Sequence, residues 1–336
     1  MNESAGRNEI MKIIGGFRAT QVLSAAASLG IGDILKDGAQ SLTAIARSAG
    51  VQETTLARLL EALVALDVLV RTDDGAFGLS ETGEYLRQDH PASVRNFAVL
   101  MGTDWYWRPW EKMLASLRSG KSAFEECHGM AFFQYLENAE DAASTFNAAM
   151  TGSAKLAAES VCNIFDFSEV HSFADLGGGT GLVLGHILSE YPQMVGTLVE
   201  LPTASSKARV DLQPFIEAGR ACVLSQSFFE NVPVGLDVYF LRHILHDWGD
   251  SHAIQLLKQV RAAMRNDSVL LIMERILEGE TDELSTLADI EMMVMMSGGR
   301  ERSEAQLGRL LEASKLRLCS VKATPSGRFL IEARPL

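Results

Sequence analysis

From residue 170 onward, short apolar runs alternate with helical patterns, and this alternation constrains the fold more than any other feature of the chain. The runs fall at 171–176, 195–201, 221–224, 236–241 and 268–276. Strands spaced this way are not joined by tight turns. They call for crossover helices, hence a parallel sheet covered on both faces. Two further runs, 316–323 and 329–333, are separated only by Thr324-Pro325-Ser326-Gly327. Such a turn joins neighbouring antiparallel strands. The expected fold class is α/β, a doubly wound sheet ending in an antiparallel hairpin.

The first half has a different grammar. Ser41 is placed to cap a short helix that Gly50 stops. Leu56, Leu59, Leu60 and Leu63 then fall at helical spacing. Residues 68–79 form two extended runs around Asp73-Asp74-Gly75, a hairpin signal. Helix, turn, helix and hairpin together predict a winged helix, a shape used for binding DNA or for packing and dimerisation. The second helix offers only Arg58 as a basic residue, the hairpin is acidic, and the chain carries a net charge of −13. A phosphate backbone would be repelled, so no nucleic-acid partner is expected. The chain is long enough for two domains, expected at 1–165 (helical) and 166–336 (sheet). Aromatic residues crowd the end of the helical half: Trp105, Trp107, Trp110, Phe132, Phe133 and Tyr135. They suit a core, a subunit interface or a pocket wall.

Asp175-Leu176-Gly177-Gly178-Gly179-Thr180-Gly181 follows the first strand and opens a helix. Glycines at that edge let a backbone approach a ligand closely. The dinucleotide pattern G-x-G-x-x-G fails, because its third position falls on Leu182 or Leu184, and no Walker lysine follows. Glu200 ends the second run, 23 residues after Gly177, where a carboxylate can accept both hydroxyls of a ribose. A nucleoside-bearing cofactor other than a dinucleotide is implied.

The glycine loop and the stretch Leu241-Arg242-His243-Ile244-Leu245-His246-Asp247-Trp248 resemble the S-adenosylmethionine-dependent small-molecule O-methyltransferases of the caffeic-acid and antibiotic-tailoring type. The resemblance covers nearly the whole chain. It implies a Rossmann-like catalytic domain behind a winged-helix dimerisation domain that also contributes to the acceptor pocket, and a homodimer. It implies that Asp175, Gly177 and Gly179 line the methionine end of S-adenosyl-L-methionine and that Glu200 holds the ribose. Ser225-Gln226-Ser227-Phe228 matches a stretch whose acid contacts adenine; here Gln226 stands in place of that acid. Ser227, Phe228, Arg242 and Trp248 complete the implied cofactor set. His246 matches the family's catalytic base, with Glu274 and Glu301 flanking it. Phe146, Asn147 and Met150 match an acceptor-pocket helix.

The chemistry stands on the residues as well. A phenol is mostly neutral at neutral pH, so a base that takes its proton as the new bond forms assists methyl transfer. Histidine suits that task. His246 follows one strand and Glu274 falls near the end of the next, so both reach the crevice at the strands' carboxyl ends. His243, His246, Asp247, Asp250 and His252 crowd ten residues, but no three have a familiar ligand spacing, and no metal is expected. Met292, Met293, Met295 and Met296 read equally as core and as pocket lining, with Met293 the pocket candidate.

Four scattered cysteines and a polar N-terminus fit a cytoplasmic protein, and no apolar stretch suits a membrane partner. The expected reaction is methylation of a hydroxyl on a small, aromatic natural product. The alternatives are N-methylation or a non-methylating reaction on the same cofactor, and a winged-helix regulator.

Overall fold

The computed structural model describes residues 3–152, 154–277 and 282–336. Two compact units divide it: residues up to Trp107 together with 148–153, and 108–147 together with residues from Ala154 onward. The change of grammar near residue 165 therefore marks where strands begin, not where the second unit begins. Ala157, Ala158 and Val161 show why. They lie on the helix Ala154–Ile164 but pack with Phe173, Leu184 and Leu198 of the sheet unit. Local pattern signals a change of secondary structure, whereas packing decides the unit.

In the first unit, Ser41 Oγ accepts from Ala44 N–H and caps the helix Leu42–Ala49, which ends at Gly50 in the left-handed conformation. The helix Glu53–Ala65 buries Leu56, Leu60 and Leu63. Strands β1 (Leu69–Arg71) and β2 (Phe77–Leu79) form the expected hairpin. These elements enclose a core with Ile31, Ile45 and Phe77. Each such side chain contributes about 1.5–3 kcal/mol by leaving water. The long helix Glu3–Ser28 precedes them and leaves Ile10, Met11, Ile13, Ile14 and Phe17 exposed.

The second unit holds seven strands: β3 (Ser172–Leu176), β4 (Val195–Glu200), β5 (Ala221–Ser225), β6 (Val238–Arg242), β7 (Val269–Glu274), β8 (Leu316–Ala323) and β9 (Phe329–Pro335). Their order is β5-β4-β3-β6-β7-β9-β8. The first five are parallel, and β9 runs antiparallel to both β7 and β8. The chain thus builds outward from β3 in one direction and then, from β6, in the other. A crevice opens where the order reverses. Register sets what borders it. Leu176 pairs with Val199 and with Leu241, and Arg242 pairs with Met273. Asp175, Glu200, Arg242 and Glu274 therefore stand at the carboxyl edges of four adjacent strands.

Candidate active site

At the first strand end, backbone geometry does the work. Gly177 has φ 72°, and a Cβ there would meet Ile244 Cδ1 at 2.5 Å. A Cβ on Gly178 would sit 2.2 Å from Asp175 Oδ2. Neither position admits a side chain without displacing a neighbour. Gly177 N–H donates to Val199 O at 2.8 Å, and Gly179 N–H donates to Glu200 Oε2 at 2.7 Å. The other oxygen of Glu200 accepts from Leu201 N–H at 2.7 Å. The carboxylate is thus fixed against the loop, and each oxygen keeps a lone pair for a hydroxyl. Burial raises both acids to about 7; for Asp175 the nearby Arg242 opposes the rise and Glu200 adds to it. Asp175 is 1% exposed, and its Oδ2 has no hydrogen-bond partner among the described residues.

Aromatic rings border the loop. Phe228 Cε1 lies 3.2 Å from the Cβ position of Gly177. Phe229 meets Trp248 edge-on at 4.8 Å, and Phe133 stacks on Trp248 at 6.0 Å. Ser227 Oγ accepts from Phe229 N–H, so that hydroxyl shapes the turn. Gln226 donates its side-chain amide to Asn231 O at 3.3 Å, which leaves its amide oxygen as the acceptor.

The second centre gathers around His246. Its Nδ1 lies 2.9 Å from Glu301 Oε1 and 3.6 Å from Glu274 Oε2, and its Nε2 lies 3.4 Å from Asp247 Oδ1. Glu274 Oε1 accepts from Ile244 and Leu245 N–H at 2.9 and 2.8 Å, so this acid also holds the turn that carries the histidine. Arg300 N–H donates to His246 O at 2.7 Å. Glu301 N–H donates to Asp289 Oδ1 at 2.8 Å. Burial works against a charged imidazole. The carboxylates of Glu274, Asp247 and Glu301 outweigh it and raise His246 to about 10. Burial raises Asp247 to about 7 and raises Glu274 as well. An imidazole raised this far carries a proton on both nitrogens at neutral pH; once one has left, Nδ1–H stays donated to Glu301 and Nε2 is the nitrogen that can take a proton. The ligating atoms of His246, Glu274 and Glu301 lie within 4.8 Å of one another, a spacing that would also suit a metal ion.

His243 follows β6 with φ 55°, and its Nε2 accepts from Arg328 Nε at 3.3 Å. Burial and the surrounding cations, Arg242 first, hold it well below its ordinary pKa, so it is neutral and no second base of the same kind. Burial likewise lowers Arg242, which Asp175 and Glu274 oppose.

Of the acceptor-pocket candidates, Phe146, Asn147 and Met150 share the helix Glu140–Gly152. Phe146 meets Phe132 edge-on at 5.2 Å within the sheet unit, and Asn147 is its neighbour there, whereas Met150 belongs to the other unit. Met292, Met295 and Met296 are buried; Met293 is only partly so, which separates it from the core face. Sequence reasoning missed Asp247 as a third acid on the imidazole, Phe229 as a partner of Trp248, and Arg302 altogether. The first was visible as the neighbour of His246; the others had no local signal.

A loop shaped for close backbone approach, a carboxylate bonded to that loop and a half-buried imidazole among acids border one crevice, the arrangement of a cofactor-using enzyme. Two family models match the chain: an O-methyltransferase dimerisation domain over residues 11–89 and an O-methyltransferase domain over residues 110–315. The mitomycin biosynthesis 6-O-methyltransferase of Streptomyces lavendulae is 33% identical, across 94% of this chain and 90% of its own. The phenazine O-methyltransferase of Lysobacter antibioticus is 34% identical, across 97% and 96%. A neocarzinostatin-biosynthesis O-methyltransferase, solved with S-adenosylmethionine and 2-hydroxy-5-methyl naphthoic acid, superposes with a TM-score of 0.79 at 28% identity, covering 95% of this chain and 96% of that one. Not every relative is named for O-methylation: one is the 8-amino-8-demethylriboflavin N,N-dimethyltransferase of Streptomyces davaonensis, and another is aclacinomycin 10-hydroxylase of Streptomyces purpurascens, 30% identical over 94% of this chain and 86% of its own.

The chain belongs to the O-methyltransferase family. Its cofactor is S-adenosylmethionine. The residues present fit that group: the buried Asp175 and the half-buried Glu200 offer carboxylates to a cationic ligand that carries hydroxyls, and one buried oxygen of Asp175 is without a hydrogen-bond partner beside the glycine loop. Among the described residues, no helix is long and apolar enough to cross a membrane.

Proposed function

We propose that this enzyme methylates a hydroxyl of a small aromatic natural product, with His246 as general base. The observation that carries the reading is the 2.9 Å contact between His246 Nδ1 and Glu301 Oε1 at the carboxyl edge of the sheet. S-adenosylmethionine, when bound, supplies a methyl group on a sulfonium, an electrophile that needs no further activation. Asp175, Gly177, Gly179 and Glu200 hold its polar groups, with Gln226, Ser227, Phe228, Arg242 and Trp248 around the remainder. His246 Nε2 takes the proton of the acceptor hydroxyl as that oxygen becomes nucleophilic. Glu301 fixes the ring through Nδ1–H and, with Glu274, stabilises the imidazolium. The surrounding acids raise the proton affinity of the imidazole, which makes it a stronger base once its own proton has left. No metal takes part in this scheme. Phe146, Asn147 and Met293, all of the sheet unit, contribute to the acceptor pocket.

Hydroxyl methylation is preferred over the chemistry of the hydroxylase relative because a base held between two acids has a task only when a proton must leave the acceptor. A second copy of the chain covers the apolar face of the helix Glu3–Ser28, whose Ile13 is 66% exposed. A homodimer by light scattering is the expected result, and a monomer would refute that part. For the base, the test is His246→Ala. Turnover on a phenolic acceptor is expected to fall about 100-fold or more with cofactor affinity nearly unchanged. Equal turnover in variant and parent would defeat the role.

A further inference from the structure

Arg302 has no part in the chemistry above, yet it ties more of the histidine turn together than any acid does. It is only 3% exposed. Nη1 donates to Leu245 O at 2.7 Å, and Nη2 donates to Trp248 O at 2.6 Å. Nε and Nη2 both donate to Asp250 Oδ1, at 3.0 and 2.8 Å. The two carbonyls bracket His246 in the chain. At its other end, Arg302 is anchored through its backbone. Its carbonyl accepts from Leu277 N–H at 3.0 Å, and it bridges Ile276 in parallel fashion just past the end of β7. Glu274 and Glu301, the two acids that face Nδ1, therefore ride on the same two segments that Arg302 joins to the turn.

A rigid fork suits this work. One guanidinium reaches two carbonyls and a carboxylate at once, which an ammonium on a flexible stem does not reproduce. Displacing a catalytic group by about 1 Å costs on the order of 100-fold in rate. We propose that Arg302 is a positioning residue for methyl transfer: its guanidinium clamps residues 245–248 to the segment bearing Glu301 and so sets the His246 ring between its acids. The proposal rests on His246 being the base.

The test measures kcat, acceptor KM and S-adenosylhomocysteine affinity in Arg302→Met and Arg302→Lys, each alone and combined with His246→Ala. The single variants are expected to keep the parent's circular dichroism, acceptor KM and, within about threefold, cofactor affinity. Turnover should fall about 10- to 100-fold in Arg302→Met and by less in Arg302→Lys. In the His246→Ala background, single-turnover rates should show no further loss from either change, since the ring that Arg302 aims is gone. If Arg302→Met does not fold, Arg302→Lys carries the comparison. Parent-like turnover in the folded single variants, or the same fractional loss in both backgrounds, would overturn the clamp while leaving the base intact. Parent-like turnover in His246→Ala alone would instead remove the base, and the clamp with it.

Discussion

The glycine loop and the histidine turn border the same crevice but are built in opposite ways. The loop is local and made of backbone: seven consecutive residues and one acid at the next strand end. The histidine centre is made of side chains from distant segments, with His246 and Glu301 55 positions apart in the chain. A backbone site depends on space and conformation, so adding an atom damages it. A side-chain site depends on charge and aim, so changing a group's charge or direction damages it. The comparison teaches that the two should fail differently, the first in binding and the second in turnover.

On cofactor binding, the largest effect should come from Gly178→Ala. The new Cβ would lie 2.2 Å from Asp175 Oδ2 and 2.6 Å from Leu198 Cδ1, and such overpacking costs about 1–3 kcal/mol. Cofactor affinity by calorimetry should weaken by tens-fold or more. Parent-like affinity would mean that the loop tolerates bulk and is not shaped by close approach.

A smaller effect is expected for Glu301→Gln, about tenfold in kcat, with cofactor affinity kept. Its pH profile sharpens the comparison. Removing a negative charge from beside the imidazole lowers the pKa of His246 from about 10, so the rise of rate with pH should move to lower pH. An unmoved profile would separate Glu301 from the proton transfer.

The smallest effect concerns pH and binding. Asp175 and Glu200 sit at about 7 through burial, and a cationic cofactor favours their ionised forms. Affinity should therefore rise several-fold as pH rises from 6 to 8, with proton release seen as a heat that differs between buffers. A flat affinity would mean that both acids are already ionised in the free enzyme.

Much of the fold was legible. All seven strands of the sheet fall within a residue or two of the apolar runs, and Ser41 and Gly50 bound their helix as read. These are short-range matters of periodicity and capping, written in neighbouring residues. The candidate site was legible in part. His246, Glu274 and Glu301 meet, but through the family resemblance more than through spacing. Arg302 was not visible, because its partners lie 52 to 57 residues away and its own neighbours say nothing of burial. Gln226 shows a further limit: its side chain bonds Asn231, a choice set by the turn it occupies.

By itself the sequence determined the strand–helix alternation, the glycine loop, the acid at the second strand end and the histidine that follows β6, because each depends on residue identity over a few positions. The tertiary structure alone decided which carboxylates face the imidazole, that an arginine holds its turn, and that the sheet unit begins at Arg108. Those are matters of long-range packing, and electrostatic interaction between buried groups depends on distance and solvent exclusion, neither of which a linear order of residues contains.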